Sequence, residues 1–184
     1  MACMSVEDYA KSVTEIIGRC NNPADVVREI VPLKKRLLEN ADICPEFFHR
    51  GLDDVPYTRN LLYADPEGRF TVVAIVWGAA KGSPVHDHQT WGVVGVLKET
   101  IDIIDYDAPS PDGSLSERSR CTAAAGEVLE IVPPREHNIH RMANSCSTPC
   151  LTIHTYGDPA KICRVYDPKS GSTTDRNLTF HNNL

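Results

Sequence analysis

The sequence predicts a mainly β protein, a small antiparallel β-barrel that follows a helical N-terminal segment. In the second part of the chain, short apolar or alternating runs are separated by turn residues such as Pro66-Glu67-Gly68, a pattern typical of antiparallel strands. Upstream, apolar residues recur at helical spacing instead. A chain of 184 residues can fill one core but is too short for two domains of ordinary size. We therefore expect a single domain over residues 1–184, with a helical lead over residues 1–50 packed on a barrel over residues 57–184.

Two helices are predicted in the lead. Apolar residues at helical spacing predict the first helix over residues 6–17, with Ser5 as its N-cap. The second helix is predicted from residue 23 to about residue 40, because Asn22 is a good N-cap and a proline follows it. Pro32 lies inside this second run and cannot donate a backbone hydrogen bond, so we expect it to kink the helix or split it in two.

The predicted strands are short and closely spaced. They lie near residues 57–64, 70–78, 84–97, 99–106, 127–132, 150–156, 162–166 and 176–181. Many short strands at near-regular spacing are typical of an antiparallel barrel or sandwich, in which the core lies between layers of sheet.

Composition excludes several classes of function. The formal net charge of -6 argues against sequence-independent nucleic-acid binding, which needs a basic surface. No run approaches the ~18 apolar residues of a transmembrane helix. The acidic start lacks the basic and then apolar pattern of a secretory leader, and the seven cysteines form no Cys-x-x-Cys pair. These features predict a cytoplasmic protein with reduced thiols, and the acidic surface and modest size favour a monomer.

A candidate metal site lies in His86-Asp87-His88. Alternate residues of a β-strand point to the same face, so these two imidazoles are expected to converge on one point. Imidazole is a common ligand for iron, zinc, copper and nickel. His140 is the candidate for the third ligand, with His137 as its competitor. On a strand over residues 138–142, His140 would face the same way as Met142, and His137 the opposite way.

The predicted site contains no carboxylate. Jelly-roll barrels of the cupin type hold a metal in the barrel mouth with a His-x-His pair and later ligands, and many add a glutamate three or four residues after the pair. Here those positions are Trp91 and Gly92. Three neutral imidazoles leave a divalent ion its full charge, which favours an anionic substrate ligand such as a thiolate.

Separated motifs in a fixed order point to one known family. They are Tyr57-Thr58-Arg59-Asn60-Leu61, His86-Asp87-His88, Ile139-His140-Arg141 with Asn144, Leu151-Thr152-Ile153-His154-Thr155-Tyr156, and Leu178-Thr179-Phe180-His181. Through these motifs the chain resembles the thiol dioxygenases, specifically the cysteine dioxygenase family of the cupin superfamily, over roughly residues 57–180. Several such motifs together are far more specific than any one of them.

The resemblance implies a cofactor and a reaction. His86, His88 and His140 would hold one ferrous iron (Fe²⁺) per chain. The partners would be a small-molecule thiol and O2, with no nucleic acid and no membrane. Both oxygen atoms would be transferred to the sulfur of L-cysteine, which gives cysteine sulfinic acid. Holding the thiolate and dioxygen on adjacent metal positions removes the need for a bimolecular encounter.

The resemblance also implies roles for two groups of protein side chains. Arg59 would bind the substrate carboxylate through its planar guanidinium, with Tyr57 assisting from the same strand face. Thr152, His154 and Tyr156 alternate along one strand and would form a hydrogen-bonded relay in which threonine replaces the serine of the family. The alternative interpretation is that these three side chains only pack on a buried strand face.

One departure from the family predicts the chemical state of the relay tyrosine. Many animal members carry a cysteine shortly after the His-x-His pair, and that cysteine is crosslinked to the tyrosine. This chain has Gly92 and Val93 there and no cysteine between Cys44 and Cys121. We therefore expect Tyr156 to be unmodified.

The choice of thiol depends on two arginines. Arg59 favours cysteine, whereas relatives that prefer 3-mercaptopropionate usually have glutamine there and use a later arginine. Arg164 lies near that later position, and residues 90–97 also look more like those relatives; Arg164 is either a substrate-binding residue or an ion-paired surface residue. We favour cysteine, with 3-mercaptopropionate as the alternative. A non-oxygenase metal cupin and a non-catalytic binding cupin are the remaining hypotheses.

Overall fold

The computed structural model describes residues 3–44, 55–158 and 162–181. Two N-terminal helices are followed by eleven β-strands in this part of the chain. The strands are β1 (Tyr57–Ala64), β2 (Phe70–Trp77), β3 (Val85–His86), β4 (Gly92–Lys98), β5 (Thr100–Tyr106), β6 (Glu117–Ala124), β7 (Val128–Ile131), β8 (His140–Ala143), β9 (Cys150–Gly157), β10 (Ile162–Tyr166) and β11 (Thr173–Asn177). The predicted mainly β fold class is confirmed.

The helices are α1 (Val6–Arg19) and α2 (Pro23–Leu38). Both predicted N-caps are confirmed, because the side chains of Ser5 and Asn22 each accept a backbone hydrogen bond from the residue three positions later. Neither helix has the length and apolar character needed to cross a membrane, within the described residues.

Pro32 does not split the second helix, so that part of the expectation is wrong. Helix α2 is continuous through Pro32. A proline inside a helix costs about 3 kcal/mol. The buried residues Val27, Ile30 and Leu37 anchor the helix in the core on both sides of the proline, and their packing offsets that cost.

The strands form two antiparallel sheets. One has the order β1-β2-β9-β4-β7 and the other β11-β10-β3-β8-β5-β6. Strand β2 is buried on both faces. Its Val73, Ile75 and Trp77 join a core shared with the six-stranded sheet, whereas the alternate residues pack against the helices. The jelly-roll class is thus confirmed, but the ladders of the described strands form two facing sheets and not one closed barrel.

The largest error of the strand prediction is β6, which it missed. Seven of the eight residues of β6 are exposed, so the segment has no apolar pattern to reveal it. Among the strands that the structure describes, it pairs with β5 alone, at the edge of its sheet. Strand β8 was absent from the predicted set, and β11 lies a few residues before the predicted segment. Pairing with neighbours, more than local sequence, defines these strands.

Candidate active site

Three histidine rings meet between strands β3 and β8. His86 lies directly opposite His140 in the ladder between these strands, and His88 follows two residues after His86. The ring centroids lie 4.9 Å apart for His86 and His88, 4.9 Å for His86 and His140, and 4.8 Å for His88 and His140. One nitrogen from each ring lies within 4.8 Å of the other two. The structure thus brings together the three residues that the sequence selects.

The chemistry of these rings fits a metal ion. The buried atoms His88 Nδ1 and His140 Nε2 have no hydrogen-bond partner among the described residues. The Nδ1 of His86 lies 3.0 Å from the Pro84 carbonyl oxygen, which only accepts, so Nδ1 carries the hydrogen and Nε2 keeps its lone pair. Burial lowers the pKa of all three rings, that of His88 and His140 well below the ordinary value. Neutral rings with unpartnered nitrogens are suitable metal ligands.

Two further histidines that the sequence analysis quoted, His137 and His181, lie outside this cluster. His137 ends a short 3-10 helix, Arg135–His137, and is exposed, so His140 and not His137 faces the pair. His181 accepts a hydrogen bond from the backbone nitrogen of Arg59 through its Nδ1, at 3.0 Å. This contact joins the segment that contains His181 to β1. His49 lies outside the described residues.

Asp87, the middle residue of the pair, fixes the segment from its other side. This carboxylate is 0% exposed and accepts two hydrogen bonds from the Arg135 guanidinium, at 2.7 and 2.8 Å. It also accepts from the Tyr166 hydroxyl at 2.7 Å and the Arg164 backbone nitrogen at 3.2 Å. Sequence reasoning missed this anchor. The sequence did contain a signal for the position of Asp87, because the residue between two ligands on a strand must point to the opposite face.

A continuous hydrogen-bonded row runs along β9 beside the histidines. Thr152 Oγ1 lies 2.7 Å from His154 Nε2, and His154 Nδ1 lies 2.6 Å from the Tyr156 hydroxyl. Trp77, on the neighbouring strand β2, donates its indole N–H to Thr152 Oγ1 at 2.8 Å. These bonds favour a relay over plain packing. The row includes Trp77, which sequence reasoning did not select.

The row ends next to the histidine cluster. The ring of Tyr156 stacks on that of His88 with centroids 5.5 Å apart and an interplanar angle of 18°. Burial raises the pKa of Tyr156 above its ordinary value and lowers that of His154 well below its own. At neutral pH, Tyr156 therefore keeps its proton and His154 is uncharged.

Gly92 lies directly opposite Tyr156 in the ladder between β4 and β9. A Cβ atom at Gly92 would lie 2.9 Å from Cδ1 of the Tyr156 ring, closer than real Cβ contacts allow. The position facing this ring therefore suits glycine and carries no thiol. That Tyr156 is unmodified stays a prediction.

Two histidines of the cluster and the last two residues of the row line one cavity of about 560 Å³, the open solvent at its mouth included. Its lining residues are Tyr57, Arg59, Ile75, Trp77, Ser83, Pro84, His86, His88, Met142, His154, Tyr156, Cys163, Arg176 and Leu178. Arg164 is not among them. Its Nε donates to Asp175 Oδ1 at 3.1 Å on the surface, as expected under the ion-paired alternative. Arg176, which the sequence reasoning did not select, lines the cavity instead.

Arg59 is a buried cation in this lining. Only 7% of the residue is exposed. Its Nη1 lies 3.5 Å from the Thr179 carbonyl oxygen, and the guanidinium carbon lies 5.3 Å from the centre of the Phe180 ring. No carboxylate of the described residues pairs with Arg59. A buried guanidinium without an anion suits an anionic ligand.

Comparisons with known proteins identify the family of this chain. A family model described as "Cysteine dioxygenase type I" matches residues 6–169. A cysteine dioxygenase type 1 from Danio rerio is 28% identical over 182 residues, which cover 96% of this chain and 86% of that protein. The Rattus norvegicus cysteine dioxygenase type 1 is 29% identical over 136 residues, covering 70% of this chain and 64% of that protein. Among solved structures, an RmlC-like cupin from Shewanella frigidimarina is similar at 18% identity and a TM-score of 0.43, covering 56% of this chain and 77% of that one. Because the family model matches most of its length, the chain belongs to the cysteine dioxygenase type I family.

Proposed function

We propose that this protein is an iron-dependent thiol dioxygenase that oxidises L-cysteine with O2 to cysteine sulfinic acid. The observation that carries the proposal is the convergence of His86, His88 and His140 beside the Thr152–His154–Tyr156 row. Of these residues, His86, His88, His154 and Tyr156 line one cavity. Membership of the family supports the same chemistry. The reaction balances without another reductant, because both atoms of O2 are added to the sulfur of the thiol.

The three histidines would hold one ferrous iron per chain. Their donor set is uncharged, so a divalent ion keeps the positive charge that attracts a thiolate. When bound, the iron supplies the place where thiolate and dioxygen react. Asp87 contributes by keeping two of the histidines in position, since it is tied to β10 and to the 3-10 helix on the other side of the segment.

Arg59 binds the carboxylate of cysteine in this proposal. Its guanidinium lines the cavity and pairs with no carboxylate of the residues described, and Tyr57 lies two residues away on the same strand face. Cysteine is favoured over 3-mercaptopropionate because Arg59, which the family resemblance links to cysteine, lines the cavity. Arg164, the candidate for the other thiol, is paired with Asp175 outside it.

The relay holds a proton at the Tyr156 hydroxyl. Trp77 donates to Thr152 Oγ1, so the threonine O–H is free to donate to His154 Nε2. His154 then donates from Nδ1 to the Tyr156 oxygen. In this arrangement Thr152 and His154 have no unpaired hydrogen, and the Tyr156 O–H is left for the cavity. There it can donate to a substrate oxygen.

We infer a cytoplasmic monomer. All seven cysteines are free, which fits a reducing compartment. Ile162 and Phe180 are the large hydrophobic residues that the described part of the chain exposes, and Phe180 is in contact with Arg59. Two such residues do not form the extended apolar surface typical of an obligate dimer.

Oxygen uptake by the iron-loaded protein with L-cysteine tests the proposal. Under ¹⁸O2 we expect cysteine sulfinic acid that carries the label in both sulfinate oxygens, as measured by mass spectrometry. Label in one oxygen alone, or no uptake with any thiol by protein that has bound iron, would overturn the proposal. A cupin that is not an oxygenase would show no oxygen uptake with any thiol. A non-catalytic binding cupin would retain no iron.

The variant Arg59→Gln tests the substrate assignment. Loss of the guanidinium should raise the KM for cysteine by about tenfold or more, because a charge-assisted pair in a buried site is lost. Activity on 3-mercaptopropionate should change less or increase. An unchanged KM for cysteine would contradict the role of Arg59. The control is Arg164→Gln, which removes an arginine outside the cavity.

A further inference from the structure

The cavity contains a second guanidinium, that of Arg176 on β11. Six arginines of the described chain are paired with carboxylates: Arg19, Arg28, Arg69, Arg120, Arg135 and Arg164. Neither Arg59 nor Arg176 is among them. In a protein of net charge -6, two unpaired cations on one cavity are a notable concentration of positive charge.

Strand register places Arg176 in this position. In the ladder between β10 and β11, Arg176 is opposite Cys163, and Arg164 is opposite Asp175. Opposite residues share a face and successive residues alternate, so these two pairs point to opposite sides of the sheet. Cys163 and Arg176 line the cavity, while the Arg164–Asp175 pair lies on the surface. Asp175, the acidic neighbour of Arg176, is therefore paired with Arg164 on the other face of the sheet.

The two cavity arginines differ in depth. Arg59 is 7% exposed, whereas Arg176 is exposed to solvent, so it lies toward the mouth of the cavity. Tyr57 is within reach of both. Burial raises the pKa of Tyr57, the charges of Arg59 and Arg176 oppose that rise, and Arg176 lies within hydrogen-bonding reach of the phenol. Because Arg59, Tyr57 and Arg176 line one cavity, a ligand that occupies this cavity can contact both guanidinium groups.

We propose that Arg176 is a substrate-binding residue that forms an outer anion subsite, so that the cavity also takes thiols carrying two carboxylates. One carboxylate pairs with Arg59 and the second with Arg176. Cysteine has one carboxylate and leaves Arg176 without an anion. This inference rests on the proposed thiol dioxygenation, and the reaction is the same: both atoms of O2 are added to sulfur, and the carboxylates are unchanged.

Binding of sulfur-free analogues tests the subsite without turnover. Calorimetry would compare succinate, which has two carboxylates, with propionate, which has one, on the iron-loaded protein. Arg176→Gln should weaken succinate binding by about fivefold or more and leave propionate binding unchanged, as expected for loss of one partly exposed ion pair. Arg164→Gln is the matched control, because it removes the same charge from the opposite face of the same sheet.

Two results would overturn the proposal. One is equal affinity for succinate in the unaltered protein and Arg176→Gln. The other is an equal loss in Arg176→Gln and Arg164→Gln, which would show a general effect of net charge. Because these measurements need no reaction, they decide the subsite even if no thiol is oxidised, and that failure would count against the proposed function alone.

Steady-state kinetics supply the second measurement. In Arg176→Gln we expect the KM for 2-mercaptosuccinate to rise about fivefold or more with kcat unchanged, and the KM for L-cysteine to change by a smaller factor. Arg176→Lys should recover part of the loss, because it restores the charge without the planar fork. Equal changes for the two thiols would contradict a subsite for the second carboxylate.

Discussion

Strand β9 separates two buried polar clusters, one on each face. On the helix face, the fully buried Lys34 of α2 donates to Thr155 Oγ1 at 2.7 Å and to the Ile153 carbonyl oxygen at 3.2 Å. The Tyr9 hydroxyl lies 2.9 Å from the same threonine oxygen. On the cavity face, the row of Thr152, His154 and Tyr156 leads to histidine nitrogens that have no hydrogen-bond partner in the described part of the chain.

The difference between the faces lies in where their hydrogen bonds end. On the helix face, the polar groups of Lys34, Tyr9 and Thr155 satisfy one another and the strand, so the cluster joins the helices to the sheet. On the cavity face, the row stops at an open cavity beside unpaired nitrogens. Buried polar groups cost about 1–3 kcal/mol when unpaired. A closed cluster therefore indicates a structural role, and an open one indicates a ligand.

Removing a predicted ligand should have the largest effect. In His140→Ala, we expect iron content to fall to background and thiol oxidation to drop by about a thousandfold or more, because two imidazoles hold the ion poorly. Elemental analysis and oxygen uptake measure the two effects. The control is His137→Ala, which alters an exposed ring outside the cluster. Equal iron content in both variants would show that His140 is not a ligand of the iron.

The two buried tyrosines provide a direct test of the two faces. Tyr156→Phe should lower kcat by about a hundredfold with iron content and KM little changed, because it removes the proton donor at the cavity. Tyr9→Phe should lower the free energy of unfolding by about 1 kcal/mol and leave kcat unchanged. Kinetics and urea denaturation of both variants measure these effects. A matched loss of kcat in the two variants would show that the faces are not functionally distinct.

Asp87→Asn should have a smaller effect on the cavity face. The amide keeps the shape but loses the charge that the Arg135 guanidinium binds. We expect iron affinity to fall by about tenfold, as for other groups that orient metal ligands. Metal titration measures it, and Asp175→Asn is the control because Asp175 pairs with an arginine at the surface. Unchanged affinity in Asp87→Asn would contradict its anchoring role.

The last prediction concerns the pH dependence of stability on the helix face. Burial lowers the pKa of Lys34 well below its ordinary value of 10.5. Between the lowered pKa and 10.5, the unfolded chain binds more protons than the folded protein, so stability should rise with pH. The rise is at most about 1.4 kcal/mol per pH unit. Lys34→Met should lack it when urea denaturation is compared at pH 7 and 9. Parallel profiles would show that Lys34 stays charged in the folded protein.

Much of the fold and site followed from local sequence. Both N-caps and the alternation of Thr152, His154 and Tyr156 are properties of neighbouring residues. The continuity of α2 through Pro32 was not predictable, because the packing that offsets the proline comes from the sheet. Strand β6 was missed for a related reason, since only its pairing with β5 makes the exposed segment a strand.

The sequence by itself determined the chemical types at the site: paired imidazoles on a strand, a hydroxyl–imidazole–phenol row and a buried guanidinium. The tertiary structure decided which distant residues meet them. Register between β3 and β8 puts His140 opposite His86, and register between β10 and β11 turns Arg176 inward and Arg164 outward. A shift of one residue in either register would turn these side chains to the opposite face of the sheet. That register is set by contacts between segments far apart in the chain, which local periodicity does not encode.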